Sequence, residues 1–408
     1  MPENRIDLED RLLSFHDWLV QLRRDFHQYP ELSYREERTA GRIAGVLREL
    51  GVSFRSGVGK TGVVARLDAE QPGPTLAVRA DMDALPIEEE NDVEYRSKYP
   101  GVMHACGHDG HMTIALGVIR RLVEEEWPRK GKGKILFFFQ PAEEGGAGAR
   151  AMIETGILDE EPVEAIFAEH MHPELPVGHI GLVSGVCNAA SDVIRVRLIG
   201  KGGHGAHPHQ CSDPIVAGAY FITQLQSIVS RNVSPLDSAV LTIGRFHAGT
   251  ASNVIPQEAI LEGTMRTLRS KTRDLIIERL KELIEGLEKA FRVRAEWEIG
   301  EGYPLLVNDV RVSDFCKAQA ENLLGSAQVH MESPRMGAED FAYFLKKAPG
   351  VMFRLGCHDP ATGFTHGLHS PHFNLDERAL DVGVRLFTRL LTAYAPVSVH
   401  DAGNVSGD

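Results

Sequence analysis

Three apolar runs of strand length each close on acidic or imidazole side chains, and no other pattern constrains the chain as much. TLAVRADMDA (75–84) ends in Asp-Met-Asp, KILFFFQPAEE (134–144) in two glutamates and EAIFAEH (164–170) in Glu-His. Unbroken apolar runs mark strands covered on both faces, whereas alternation would mark strands wetted on one. Helical stretches separate them, one predicted from about Gly110 to Glu125 and a shorter one after Gly148. Strands alternating with helices imply an α/β fold, a mixed and largely parallel sheet covered by helices. Upstream, Leu12, Leu13, Phe15, Leu19 and Leu22, and then Ile43, Val46, Leu47 and Leu50 before Gly51, recur at helical spacing.

The character changes near residue 190. VIRVRLIG alternates apolar and charged residues, the signature of a half-buried strand. A helix follows in SDPIVAGAYFITQLQSIVSRN, with Ser212 or Asp213 as its N-cap and Pro214 in its first turn. Two strands come next (SAVLTIGRFHAG and EAILEGTMRTL), then a helix carrying Ile276, Leu280, Ile284 and Leu287, then the strand AEWEIG. The order β-α-β-β-α-β is that of a ferredoxin-like module. With 408 residues the chain is too long for one core. We expect a discontinuous domain of residues 1–189 and 301–408, with residues 190–300 inserted as a second domain. The tail VHDAGNVSGD reads as disordered.

The formal net charge is −13 and no long Lys/Arg block occurs, which argues against nucleic acid or an anionic membrane as partner. MPENRIDLEDRLLSF has no basic-then-apolar leader, and no run of about 18 apolar residues could span a bilayer. Five scattered cysteines (Cys106, Cys187, Cys211, Cys316 and Cys357) form no CxxC pair, so neither a disulfide framework nor an all-cysteine zinc site is expected. A reduced, cytoplasmic protein is the expectation.

The strand ends share their end of the sheet with HACGHDGH (104–111), which opens a predicted helix. Ligands of open α/β sheets bind outside the carboxyl ends of the strands. Two divalent ions about 3.5–4 Å apart need roughly five protein ligands and a bridging water, which they acidify. Cys106, His108, Glu144 and His170 supply two nitrogens, a sulfur and a carboxylate, and GLHSPHF offers His369 as a fifth. Glu143, beside Glu144, is placed to take a proton from the water and pass it to a leaving amine. Asp83 suits orienting a ligand imidazole through its free N–H. Alternatives stay open at this point: His104 and His111 as further ligands, His172 in place of His170, His366 or His372 in place of His369. Asp109 could serve the helix N-terminus or support the ligands, and Glu339 and Asp340 of MGAED either border the cleft or act as caps. The other four cysteines read as ordinary thiols.

Several ordered motifs resemble the M20 family of metallopeptidases and amidohydrolases, in the branch of hippurate hydrolase and the N-acyl-amino-acid and auxin-conjugate amidohydrolases. They are RRDFHQYPELSYREERTA (23–40), RADMDALPIEEE (79–90), HACGHDGHM (104–112), FQPAEEGGAGARAMIETG (139–156), GKGGHGAHPHQCSDPI (200–215), ASNVIPQEAILEGTMRTL (251–268), MGAEDFAYF (336–344) and LHSPHFNLDE (368–377). The resemblance implies a catalytic domain interrupted by a ferredoxin-like lid that commonly mediates dimerisation. By it, Cys106, His108, Glu144, His170 and His369 correspond to the ligands of two divalent metal ions, Glu143 to the general base and Asp83 to the residue that steers the ligands. It also implies that His204 steadies the oxyanion, from its own subunit or across a dimer, and that Asn253 and Arg266 grip the substrate carboxylate. His207 and His209 receive no role. Where many relatives read His-x-Asp this chain reads Asp81-Met-Asp83, and Cys106 makes up the ligand set. Sulfur favours Zn, and the N/O remainder tolerates Mn, Co or Ni.

The activity this implies is hydrolysis of the amide in a hippurate-like N-acyl amino acid, by a homodimer or a higher assembly. A dipeptidase, or hydrolysis of another C–N bond such as an aryl-amine, would use the same site. A non-catalytic binding relative would be expected to have lost Glu143 or a ligand.

Overall fold

The computed structural model describes residues 14–359, 361 and 363–395. Leu12 and Leu13 of the first helical pattern lie outside the described residues, as does the tail expected to be disordered. The described chain divides into two compact units, one containing residues up to Gly185, Asn308–Glu332 and Tyr343 onward, the other Val186–Val307 with Ser333–Ala342.

The first unit is built on an eight-stranded sheet. From edge to edge it runs Ser53–Val58, Gly62–Asp68, Lys132–Gln140, Gln71–Asp81, Ala165–Pro176, Gly350–His358, Ile180–Leu182 and Val329–Met331. The central four strands are parallel. Leu136 to Phe139 and Ala165 to Ala168 are buried on both faces, which is why these strands read as unbroken apolar runs. Helices Phe15–Gln28, His108–Glu124 and Arg378–Ala393 contribute Leu19, Phe26, Ile114, Leu116, Ile119, Val384 and Phe387 to one continuous core. Ser14 caps the first of them, accepting the Asp17 N–H at 3.1 Å.

The chain leaves strand Gln71–Asp81 through helix His108–Glu124 to Lys132–Gln140 on one side, then returns as Ala165–Pro176 on the other. That reversal opens a crevice at the strands' carboxyl ends. Gly107, at φ +89°, turns the chain into the helix there, and a β-carbon on it would lie 2.8 Å from Met171 Cγ.

The second unit holds four antiparallel strands in the order Ala239–Ala248, Glu258–Thr267, Ala190–Ile199 and Arg294–Glu301. Helices Pro214–Arg231 and Ser270–Phe291 cover one face, packing Phe221, Leu225, Ile276, Leu280 and Ile284 on Ile194, Val196, Leu198, Leu261 and Met265. The β-α-β-β-α-β order is the ferredoxin-like one. Of the two candidate caps, Asp213 is the one used: its carboxylate accepts the N–H groups of Ile215 (2.8 Å) and Val216 (3.4 Å). The segment Ser333–Ala342, which includes all of MGAED, belongs to this unit.

Candidate metal centre

All the candidate ligands gather in the first unit's crevice. One donor atom each from Cys106, His108 and His170 lie within 4.8 Å of one another, and so do those of Cys106, Glu144 and His369. The two trios share Cys106, and His108 also lies within that range of Glu143 and Glu144. Two of the imidazole donors are aimed by a hydrogen bond on the far ring nitrogen. His108 Nδ1 donates to the main-chain oxygen of Asp83 at 2.8 Å, turning Nε2 into the crevice. His170 Nδ1 donates to Met171 O at 2.9 Å, and its Nε2 lies 3.5 Å from Cys106 Sγ. His369 adopts φ +62°, in the left-handed region non-glycine residues seldom occupy, held by its N–H on Ala105 O at 2.8 Å. Its Nε2 reaches Glu144 Oε1 at 3.3 Å.

Asp83 positions the glutamates with its carboxylate. Oδ1 accepts the N–H of Glu143 at 2.9 Å, Oδ2 that of Glu144 at 3.0 Å, and Ser33 Oγ donates to Oδ2 at 2.7 Å. Its link to His108 therefore runs mainly through the main chain, the carboxylate standing 3.6 Å from Nδ1. The turn bearing the glutamates is strained, with Ala142 at φ +51° and Ala147 at +53°. A strut from PELSYREE holds it: Glu36 accepts the Ala142 N–H at 2.9 Å, and Tyr34 donates to Gly146 O at 2.7 Å. Thr61 steadies Glu36 at 2.6 Å.

The donor set fits divalent cations. His108 Nε2 is buried with no hydrogen-bond partner. Burial alone would depress its pKa, yet Asp81, Asp83 and Glu144 push it up to about 10, so the crevice demands positive charge. Burial, then Glu144 and Glu143, holds the Cys106 thiol well above its ordinary range, and a metal cation would release that proton.

The other candidates make contacts of their own, His111 lying within 4.8 Å of donor atoms of Asp81 and His108. His111 Nδ1 donates to Asp81 Oδ1 at 2.5 Å and its Nε2 accepts the Met171 N–H at 3.0 Å, so both ring nitrogens are committed. Burial lowers its pKa to about 4, keeping it neutral. Asp81, in turn, receives Arg79 Nη1 at 2.7 Å. His104 is buried, unpaired and neutral, with burial lowering its pKa to about 3, and it joins neither trio. His172 turns to Glu332 at 3.4 Å, while His366 and His372 pair with each other and His372 meets Glu90 at 3.1 Å. Asp109 serves its helix N-terminus, the first of the two tasks considered for it. It accepts the Gly110 N–H at 2.9 Å within its own helix, and it also binds Arg23 Nε (2.8 Å) and His27 Nδ1 (2.7 Å) in a buried network. Glu339 and Asp340 are buried, in the segment that belongs to the second unit.

The three residues expected to act on substrate all lie in the second unit. His204 is exposed, its Nδ1 accepting the Ala206 N–H at 3.0 Å. Its register partner is Val254, and Asn253 O accepts the Gly205 N–H at 2.8 Å, so His204 and Asn253 share one corner. Arg266 does not. Strand Glu258–Thr267 starts near that corner, and Arg266 stands eight residues along it, about 26 Å away at 3.3 Å per residue.

The family model described as peptidase family M20/M25/M40 matches residues 77–393. An N-acetyl-L-cysteine deacetylase of Bacillus subtilis is 42% identical over 362 residues, covering 89% of this chain and 84% of that protein. An N-acetyldiaminopimelate deacetylase of Bacillus velezensis is 39% identical over 379 residues, covering 92% and 98%. Among solved structures, the YxeP protein of Bacillus subtilis, described as a dinuclear metal binding peptidase from the M20 family, superposes with a TM-score of 0.79 at 36% identity, covering 93% and 98%.

Proposed function

We propose, from the premise that this chain belongs to the M20 family of metal-dependent amidohydrolases, that it removes small acyl groups from N-acyl amino acids with Glu143 as the base. The observation that carries the reading is the grip of one carboxylate, Asp83, on the N–H groups of both Glu143 and Glu144. It sets two consecutive carboxyl groups to separate tasks: Glu144 beside Cys106 and His369 as a ligand, Glu143 turned to the reacting water. Cys106, His108, Glu144, His170 and His369 would hold two divalent ions, of Zn, Mn, Co or Ni. When bound, such ions polarise the scissile carbonyl and acidify water. Glu143 takes the proton of the attacking water and returns it to the departing amine. His204 offers Nε2–H to the oxygen on which charge develops, and Asn253 and Arg266 hold the substrate carboxylate.

Relatives named for N-acetyl-L-cysteine and N-acetyldiaminopimelate make acetyl the first acyl group to test, ahead of the benzoyl group of hippurate. The length of strand Glu258–Thr267 between Arg266 and the corner that holds His204 and Asn253 favours a homodimer, in which one subunit supplies His204 and Asn253 and the other Arg266. Its interface is the unpaired edge of Ala239–Ala248 beside the exposed Ile215, Val216, Tyr220 and Phe246. Five free thiols support a reducing compartment, the cytoplasm, and among the described residues no helix is long and apolar enough to cross a membrane.

The test is metal-depleted protein reloaded separately with Mn, Zn, Co and Ni. Substrates would be N-acetylcysteine, N-acetyldiaminopimelate, hippurate and simple dipeptides. Metal-dependent release of amino acid from the acetyl compounds is the expected result. Glu143→Gln should lower kcat about 10²–10⁴-fold with metal content unchanged. Near-full turnover by that variant would overturn the assignment of the base.

A further inference from the structure

The Met171 main chain holds two imidazoles at once. Its N–H donates to His111 Nε2 at 3.0 Å, and its carbonyl oxygen accepts His170 Nδ1 at 2.9 Å. A main-chain N–H only donates and a carbonyl only accepts, so each fixes where a ring proton sits. His111 accepts at Nε2 and therefore carries its proton on Nδ1, which donates to Asp81 Oδ1 at 2.5 Å. His170 donates at Nδ1 and therefore keeps a lone pair on Nε2, the atom 3.5 Å from Cys106 Sγ.

His111 is itself held from behind. Arg79 Nη1 donates to Asp81 Oδ2 at 2.7 Å, and a guanidinium has no acceptor to offer. Both Asp81 oxygens therefore accept, one from Arg79 and one from His111. Arg79 Nε donates to Gln140 Oε1 at 2.8 Å, and the Gln140 amide donates to Pro141 O at 3.2 Å. The Glu169 carboxyl stands 3.6 Å from His111 Nε2, too far to compete with the Met171 N–H. Gln140, Arg79, Asp81, His111 and Met171 are all buried. Together they run across the ends of strands Lys132–Gln140, Gln71–Asp81 and Ala165–Pro176 and into helix His108–Glu124. Ladder pairing between Gln71–Asp81 and Ala165–Pro176 ends at Arg79 against Ala168, and three residues on the Met171 N–H takes His111 as its acceptor.

We propose that His111 is a positioning residue for the metal centre: by gripping the Met171 main chain it aims His170 Nε2, and so sets the affinity of one of the two ion sites. This role rests on the reading of Cys106, His108, Glu144, His170 and His369 as ligands. His170 belongs to the trio with Cys106 and His108, and not to that of Cys106, Glu144 and His369. Loosening His170 therefore weakens one ion and spares the other, which a general loss of packing would not do.

Two variants take the ends of the imidazole apart. An asparagine reaches as far as Nδ1, so its amide donates to Asp81 and leaves the Met171 N–H without its acceptor. A glutamine reaches as far as Nε2, so its amide oxygen accepts the Met171 N–H. Holoenzyme loaded with two Zn²⁺ is titrated with a competing chromophoric chelator at neutral pH, and the ions retained are counted. In His111→Asn one release step should shift to an affinity about 10–100-fold weaker, the usual cost of losing a group that supports a ligand, while the other stays in place. In His111→Gln both steps should lie with those of the parent. Unshifted steps in His111→Asn, or both steps weakened together, overturn the role. So does a step as weak in His111→Gln as in His111→Asn. Where His111→Asn does not fold, His111→Gln decides alone: parental steps uphold the grip on Met171, and a weakened step overturns it. A parent that never holds two Zn²⁺ overturns the ligand reading itself, an outcome separate from these.

Discussion

The Asp83 carboxylate accepts the main-chain N–H of Glu143 at 2.9 Å, so the position of the proposed base is set by a residue 60 places earlier in the chain. Exchanging one carboxylate oxygen for an amide would turn a donor against the N–H of Glu143 or Glu144. Asp83→Asn is expected to lower kcat about 10–100-fold, the usual cost of losing a group that supports metal ligands. Metal content by elemental analysis should fall with it, and far-UV circular dichroism should be unchanged. Full activity in this variant would show that the turn at Ala142 holds the glutamates unaided.

The buried network of Arg23, His27, Asp109 and Glu89 makes stability depend on pH. Burial and Arg23 lower the His27 pKa, but Asp109 and Glu89 outweigh them and the net shift is upward. A group whose folded pKa is raised contributes stability that is complete below its unfolded value, near 6.5, and is lost as pH rises through the folded value. Asp109 and Glu89 are shifted down, so their contribution is present above the unfolded carboxylate range and is lost in acid. The Tm of the parent should therefore fall on the alkaline side of neutrality, and His27→Gln should flatten that limb. Parallel Tm profiles for the two proteins from pH 6 to 9 would contradict this account.

Removing metal should destabilise the fold as well as abolish turnover. Asp81, Asp83, Glu144 and Cys106 crowd one crevice around His108, and a bound cation offsets their mutual repulsion. Ligand at about 100 times its Kd adds roughly 2.7 kcal/mol per site. Calorimetry with and without chelator should show a Tm drop of several degrees, reversed by adding the metal back.

Gly107→Ala tests the entry to helix His108–Glu124. The residue sits at φ +89°, and its new methyl group would meet Met171 Cγ at 2.8 Å. A loss of about 1–3 kcal/mol in denaturant unfolding is expected from backbone strain, before any repacking of Met171. An unchanged midpoint would mean that strand and helix separate freely at this point.

The sheet was legible because burial on both faces leaves unbroken apolar runs, and the candidate ligands drew notice because those runs stop at them. What stayed hidden depends on direction. Sequence order cannot tell that His111 faces Asp81 and the Met171 N–H, or that His172 turns to Glu332 while His170 turns to Cys106. These choices are made by which strand lies beside which helix. The strut of Ser33, Tyr34 and Glu36 was invisible for a related reason. Its partners lie at Asp83 and in Ala142–Gly146, far along the chain, and Ser, Tyr and Glu in a loop carry no periodic signal.

The order in which the ligands occur along the chain has a consequence for synthesis. His170 and His369 are 199 residues apart (369 − 170), and the whole ferredoxin-like unit lies between them. At about 5–20 residues per second, a ribosome needs some 10–40 s to cover that stretch. Throughout that interval the nascent chain carries Cys106, His108, Glu144 and His170 without their fifth companion. The inserted unit emerges whole before the crevice can be finished, so a chain stalled short of His369 carries the second unit complete and the set of candidate ligands one short.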